Sequence, residues 1–85
     1  MKLTDTQRRV LQAAADGDLF RSESGFDLYD CYIRGERRKV TGVVAKLNER
    51  EPRLLRIGEQ DRFSRPWHLT DAGREALGLD PEETP

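Results

Sequence analysis

Two stretches of this chain repeat apolar residues at helical spacing, and two others alternate them. Val10, Leu11 and Ala14 fall on one helical face, with Ala15 able to join them, while Arg8, Arg9 and Gln12 turn to water. Thr4-Asp5-Thr6-Gln7 opens this helix as a capping box: the Thr4 hydroxyl can accept from the Gln7 N–H, and the Gln7 side chain can reach back. Leu3 stands where a hydrophobic staple would begin, but Arg8 fills its usual partner position, so the staple is partial. Asp16-Gly17-Asp18 closes the helix, with Gly17 suited to a left-handed C-terminal position. Further on, Val40, Val43, Val44 and Leu47 follow the i, i+3, i+4, i+7 rule and predict a second helix. It begins near Glu36, or later with Thr41 as its N-cap, and Pro52 stops it. Gly42 lies in or near its first turn, where a glycine marks close approach to something.

Between these helices, residues 19–22 read as a short strand and Glu23-Ser24-Gly25 as a turn. Residues 26–33 are rich in aromatic and β-favouring types and read as a second strand, giving a hairpin. The competing reading is a short helix with Phe26, Tyr29 and Ile33 at helical spacing. Beyond Pro52, residues 53–57 and 66–69 predict two strands joined by a polar loop, residues 58–65, with an exposed Phe63. Pro66 suits an edge strand or a first strand residue. Thr70 then caps a third helix with Asp71 at its positive end. Ala72, Ala76 and Leu77 face inward, and Gly78 terminates it. The expected fold class is a small α+β domain over residues 1–78, with residues 79–85 as an acidic disordered tail.

Composition narrows the function classes. Eighty-five residues make one domain with a small core, and 35% apolar against 36% charged residues is polar for a globular chain. Cys31 is the single cysteine, so no internal disulfide forms, and with one histidine no usual four-ligand zinc site can assemble. No N-terminal run resembles a signal peptide and no apolar run of ~18 residues could span a membrane, so a cytoplasmic location is expected. The net charge of −1 hides an uneven distribution. Residues 1–33 carry four basic and six acidic groups, residues 34–74 eleven and six, and residues 75–85 none and four. A basic middle section fits an anionic partner, or else an ordinary mixed surface. Catalysis finds no support: there is no Ser/His/Asp set, no metal-ligand spacing and no Gly-rich phosphate loop, and no cofactor is expected.

Trp67-His68-Leu69-Thr70-Asp71-Ala72-Gly73-Arg74 resembles the end of the wing in bacterial winged-helix regulators of the MarR/PadR kind. There an aromatic-containing strand ends in Leu-Thr, and the next helix opens with x-x-Gly. The resemblance takes in "LTDTQRRVLQAAADG" as a first helix and "VTGVVAKLNER" as a recognition helix, and so covers most of residues 3–78. It implies a winged helix of three helices, a β-hairpin wing and a second short hairpin. Trp67 and Leu69 would close the core against the first helix and the Val40/Val44/Leu47 stripe, and Gly73 would let the last helix sit close to the sheet. This chain departs from the family pattern at residues 22–34, where the second helix of a helix-turn-helix is not evident. It departs again at Glu51-Pro52-Arg53-Leu54-Leu55, which replaces the usual Gly-Leu-Val.

The resemblance implies double-stranded DNA as partner, in a small transcriptional regulator or phage-type DNA-binding protein. With the valine stripe inward, Thr41, Gly42, Ala45, Lys46 and Glu49 turn outward. Thr41 would meet a phosphate or base edge, Gly42 and Ala45 would allow close approach, and Lys46 would read a guanine or bind phosphate. Arg37, Arg38 and Lys39 would hold phosphate where the helix opens, and Arg62 and Arg65 would flank the wing tip at a minor groove. Each has a plainer reading. Arg37 to Lys39 are then a solvated charge run, Lys46 pairs with Glu49, and Arg62 and Arg65 balance Glu59 and Asp61. His68 reads as a surface residue, Cys31 as a packing residue, and Tyr29 and Tyr32 as hairpin packing rather than a base-stacking platform. The rival function is a protein-interaction module on the same fold, which the near-neutral charge and Glu49 favour. The oligomeric state stays open.

Overall fold

The computed structural model describes residues 3–79. In chain order these form α1 (Asp5–Ala15), β1 (Leu19–Ser22), a 3₁₀ turn (Gly25–Asp27), β2 (Cys31–Ile33), α2 (Thr41–Glu49), β3 (Leu55–Ile57), β4 (Ser64–Leu69) and α3 (Asp71–Ala76). The four strands make one antiparallel sheet in the order β2-β1-β4-β3. The fold is α+β, and its two hairpins are joined by β1 pairing with β4. The second hairpin is therefore not free-standing, because β4 lies between β3 and β1.

Alternation along the strands separates the two sheet faces. Register places Leu19 opposite Ile33, and Ile57 opposite Trp67, while Leu55 faces Leu69. These side chains, with Cys31, meet Val10, Leu11, Ala13 and Ala14 of α1 and Val44 and Leu47 of α2 in one core. Leu11, Leu19, Leu47 and Leu55 are fully buried, and Trp67 is 6% exposed. The other face carries Phe20, Tyr32, Pro66 and His68, all half-buried.

Local chemistry explains the helix ends. Thr4 and Gln7 form the reciprocal capping box, at 2.9 and 3.1 Å. Asp18 N–H donates to Ala13 and Gly17 N–H to Ala14, which satisfies two of the orphan carbonyls of α1. Gly78 and Leu79 do the same for Glu75 and Arg74 at the end of α3. Leu79 also packs against the core, so the fold extends one residue past the expected boundary at 78. The rest of the expected tail, residues 80–85, lies outside the described residues.

Other boundaries depart from the sequence reading. The core contact expected of Ala15 is made by Ala13, and Ala15 is exposed. Residues 26–29 are neither strand nor a full helical turn of the predicted kind. Gly25 and Tyr29 have φ of 77° and 69°, and Ser22 exchanges bonds with Tyr29 and Asp30 across the loop mouth, so pairing begins only at Cys31. α2 takes the later of its two expected starts. Lys39 bridges to Tyr32 and the Val40 N–H donates to Cys31 O, holding the chain extended through residue 40. Val40 then occupies the N-cap, and Thr41 is the first helical residue rather than the cap. β3 begins two residues late and β4 two residues early.

Thr70 caps α3 as predicted, accepting from the Gly73 N–H at 3.1 Å, and its hydroxyl donates to Arg53 O. Its N–H donates to Leu54 O, so the α3 start is tied to the segment that enters β3. Gly73 does permit close approach: a Cβ there would meet both the Leu54 carbonyl, just before β3, and the Leu69 side chain of β4.

Candidate nucleic-acid interface

α2 lies with Val44 and Leu47 in the core and Val40 and Val43 half-buried against it. Gly42, Ala45, Lys46 and Glu49 are exposed. An added Cβ at Gly42 would meet nothing within 4 Å, so packing does not require a glycine there. Val40 supplies no side-chain cap, and no acidic residue stands in the first turn. The carboxylate at the positive end of this helix comes instead from Asp30, just before β2, which accepts from the Thr41 hydroxyl at 3.1 Å.

Six of the nine candidate residues are exposed and carry no ion pair with a described residue: Arg37, Arg38, Gly42, Ala45, Lys46 and Arg62. Lys46 does not pair with Glu49. Lys39 is exposed too, but its Nζ stands 3.7 Å from Asp30 Oδ2. In the loop before α2, Glu36 is engaged by Arg9 and Arg34 lies 3.9 Å from Asp18 Oδ1, so Arg37 and Arg38 are the cations there with no ion pair to a described residue.

Two candidates are turned inward. The Thr41 hydroxyl accepts from the Cys31 N–H at 3.0 Å and donates to Asp30 Oδ1 at 3.1 Å, pinning the start of α2 to β2. It is not presented to an external phosphate. Arg65 lies on the core-side face of β4, directly across from Arg21 of β1. Like charges so placed repel, and Glu23 sits between them. Its Oε1 accepts from Arg21 at 2.7 and 3.0 Å and lies 3.7 Å from Arg65 Nε, with the Glu23 side chain only 9% exposed. The partner of Arg65 is therefore Glu23, not Glu59 or Asp61. No local spacing could have revealed a pair 42 residues apart that forms only through the β1–β4 register.

The two tyrosines separate. Tyr32 lies beside Phe20 on the outer sheet face, ring centroids 5.9 Å apart. Tyr29 lies under the Arg21 guanidinium, 5.2 Å from its centroid, and with Ala45 and Asn48 lines a cleft beside α2. His68 is half-buried on the outer face against Gly58. Among the described residues no three His, Cys, Asp or Glu side chains converge as a metal site, and no helix is long and apolar enough to cross a membrane. No family model, curated protein or solved structure matches the chain.

Cys31 packs in the core, and the Trp67 indole N–H faces its sulfur without closing a conventional hydrogen bond. Burial pushes the thiol above its usual range, opposed in part by Trp67 and the Arg21 charge. The folded state then holds this proton more tightly than the unfolded chain. Its contribution is complete below the ordinary thiol range and is lost as pH rises through the folded value. Relative to Cys31→Ala, the wild type should lose stability as alkaline pH enters that range. Parallel curves in urea titrations from neutral to alkaline pH would remove this assignment.

Proposed function

We propose that the protein binds double-stranded DNA as a small winged-helix regulator, with α2 as the recognition element and β3–β4 as the wing. The observation that carries this reading is the outward face of α2. Small residues, Gly42 and Ala45, stand there beside Lys46, which pairs with no described residue, and α2 follows the cations Arg37, Arg38 and the Asp30-paired Lys39 in the chain. Small side chains let a helix backbone approach a groove closely, and cations beside it neutralise phosphate. The layout departs from a helix-turn-helix between α1 and α2, where β1, a 3₁₀ turn and β2 stand and no α-helix is formed. The wing tip supports the reading less: Arg62 is exposed, but Arg65 is engaged and Phe63 projects beside two carboxylates.

The test is duplex binding across a salt series. Wild type should bind with an affinity that falls with salt. Arg38→Ala combined with Lys46→Ala should weaken binding ~10-fold and reduce the salt slope by about 1.8, the sum for two phosphate contacts. Unchanged affinity and slope would remove α2 and its leading loop from the interface. A protein-interaction role is the second reading, favoured by the exposure of Phe26, Leu28, Tyr29 and Phe63.

A further inference from the structure

Phe26 is 112% exposed, Tyr29 59% and Leu28 46%, and all three stand on the loop between β1 and β2. A braced backbone holds these apolar side chains out in water. Ser22 closes the loop: its N–H donates to Asp30 O at 2.8 Å, and its carbonyl accepts from the Tyr29 N–H at 2.7 Å. Its hydroxyl donates to Ser24 O at 3.0 Å, and the Glu23 N–H donates to Phe63 O at 2.8 Å. Gly25 and Tyr29, with φ of 77° and 69°, bracket Phe26 and Leu28 at the tip.

This loop stands beside the outward face of α2. Asp30, at its end, accepts from the Thr41 hydroxyl in the first turn of α2. Tyr29 lines a cleft together with Ala45 and Asn48. Ala45 belongs to the side of α2 that the DNA-binding reading turns to the duplex, so the loop borders that contact.

Charge does not keep a polyanion from the loop. Glu23 Oε1 accepts from Arg21 and lies 3.7 Å from Arg65 Nε. Asp30 Oδ2 lies 3.7 Å from Lys39 Nζ. Two of the three carboxylates in residues 23–30 are thus compensated within the chain, Asp27 being the third. Size argues against a protein partner. A whole aromatic side chain buries about 150–250 Å². Phe26, Leu28 and Tyr29 together fall short of the ~800 Å² that each partner contributes to a standard protein interface. They are enough for a wedge. Inserted Phe and Leu side chains unstack a base step and kink a duplex.

We propose that Phe26 and Leu28 form an apolar wedge that enters one base step beside the α2 contact and bends the duplex. The inference rests on the DNA-binding reading of α2. Pyrimidine–purine steps kink most easily, so such a step is the one the wedge takes.

The experiment uses a G·C-rich duplex of about 30 base pairs with one central TA step. One form carries a dye at each end, and a second carries 2-aminopurine in place of the central adenine. At low salt the full chain should bring the ends together, raising energy transfer, and should brighten the 2-aminopurine as it unstacks. Phe26→Ser with Leu28→Ser should lose both signals yet keep the salt slope of binding, since no phosphate contact is removed. Both positions are exposed, so this variant should keep the wild-type circular dichroism spectrum. Phe26→Leu keeps an apolar wedge and should retain both signals. A wild type that binds the duplex salt-dependently but leaves it straight would overturn the wedge alone, and return the loop to a protein partner. A wild type that binds no duplex at low salt would remove the reading of α2 and the wedge with it. The double variant overturns the wedge if it still bends the duplex, or if its salt slope falls along with the bend.

Discussion

Gly73→Ala should destabilise the protein by about 2–3 kcal/mol and lower its melting midpoint by roughly 10–20 °C. An ideal Cβ at Gly73 would lie 2.1 Å from Leu54 O, 3.1 Å from Leu54 C and 3.2 Å from Leu69 Cδ2. The nearest obstacle is backbone and cannot turn aside. Leu54 is 1% exposed, its carbonyl accepts from the Thr70 N–H at 3.2 Å, and its own N–H reaches Leu47 O at 3.4 Å. Making room means moving α3 away from the chain entering β3 and breaking the tie at Thr70. The gain in helix propensity, under ~1 kcal/mol, offsets only part of this. Gly42→Ala is the contrast, because a Cβ there meets nothing. It should leave the midpoint unchanged or raise it slightly. Thermal unfolding of both variants checks the pair, and equal midpoints would mean that α3 sits farther from Leu54 than described.

What the sequence made legible was whatever depends on neighbours in the chain. The capping box at Thr4 and Gln7, the Thr70 cap, the inward Val44 and Leu47 and the alternation of Trp67 and Leu69 are local patterns, and each was found where the spacing put it. What stayed hidden depends on which strands become neighbours. The joining of two hairpins through β1 and β4 places Glu23 between Arg21 and Arg65 and Phe63 beside the 23–30 loop. Neither follows from spacing. Residues 26–33 misled for a physical reason: aromatic residues favour strands as half-buried surface, yet Phe26 and Tyr29 here lie on a loop. The outward face of α2 was legible to within one residue. A helical wheel puts Thr41 beside Gly42 and Ala45, and cannot register that β2 begins beneath its hydroxyl, at Cys31.

That residue separates a structural role from a contact with DNA. Thr41→Val keeps the side-chain shape and removes the hydroxyl. The Cys31 N–H then loses its 3.0 Å acceptor, and Asp30 Oδ1 loses a donor at 3.1 Å. Stranding a part-buried backbone donor costs about 1–3 kcal/mol, so the midpoint should fall by roughly 8–16 °C for a loss near 2 kcal/mol. Thr41→Ser keeps the hydroxyl and should recover most of this. Duplex affinity, measured where both variants are fully folded, should match the wild type, since the lost bonds face β2. The opposite result, an unchanged midpoint with weakened and less salt-sensitive binding, would return Thr41 to the interface. It would also mean that the first turn of α2 rotates away from Cys31 when it meets a polyanion.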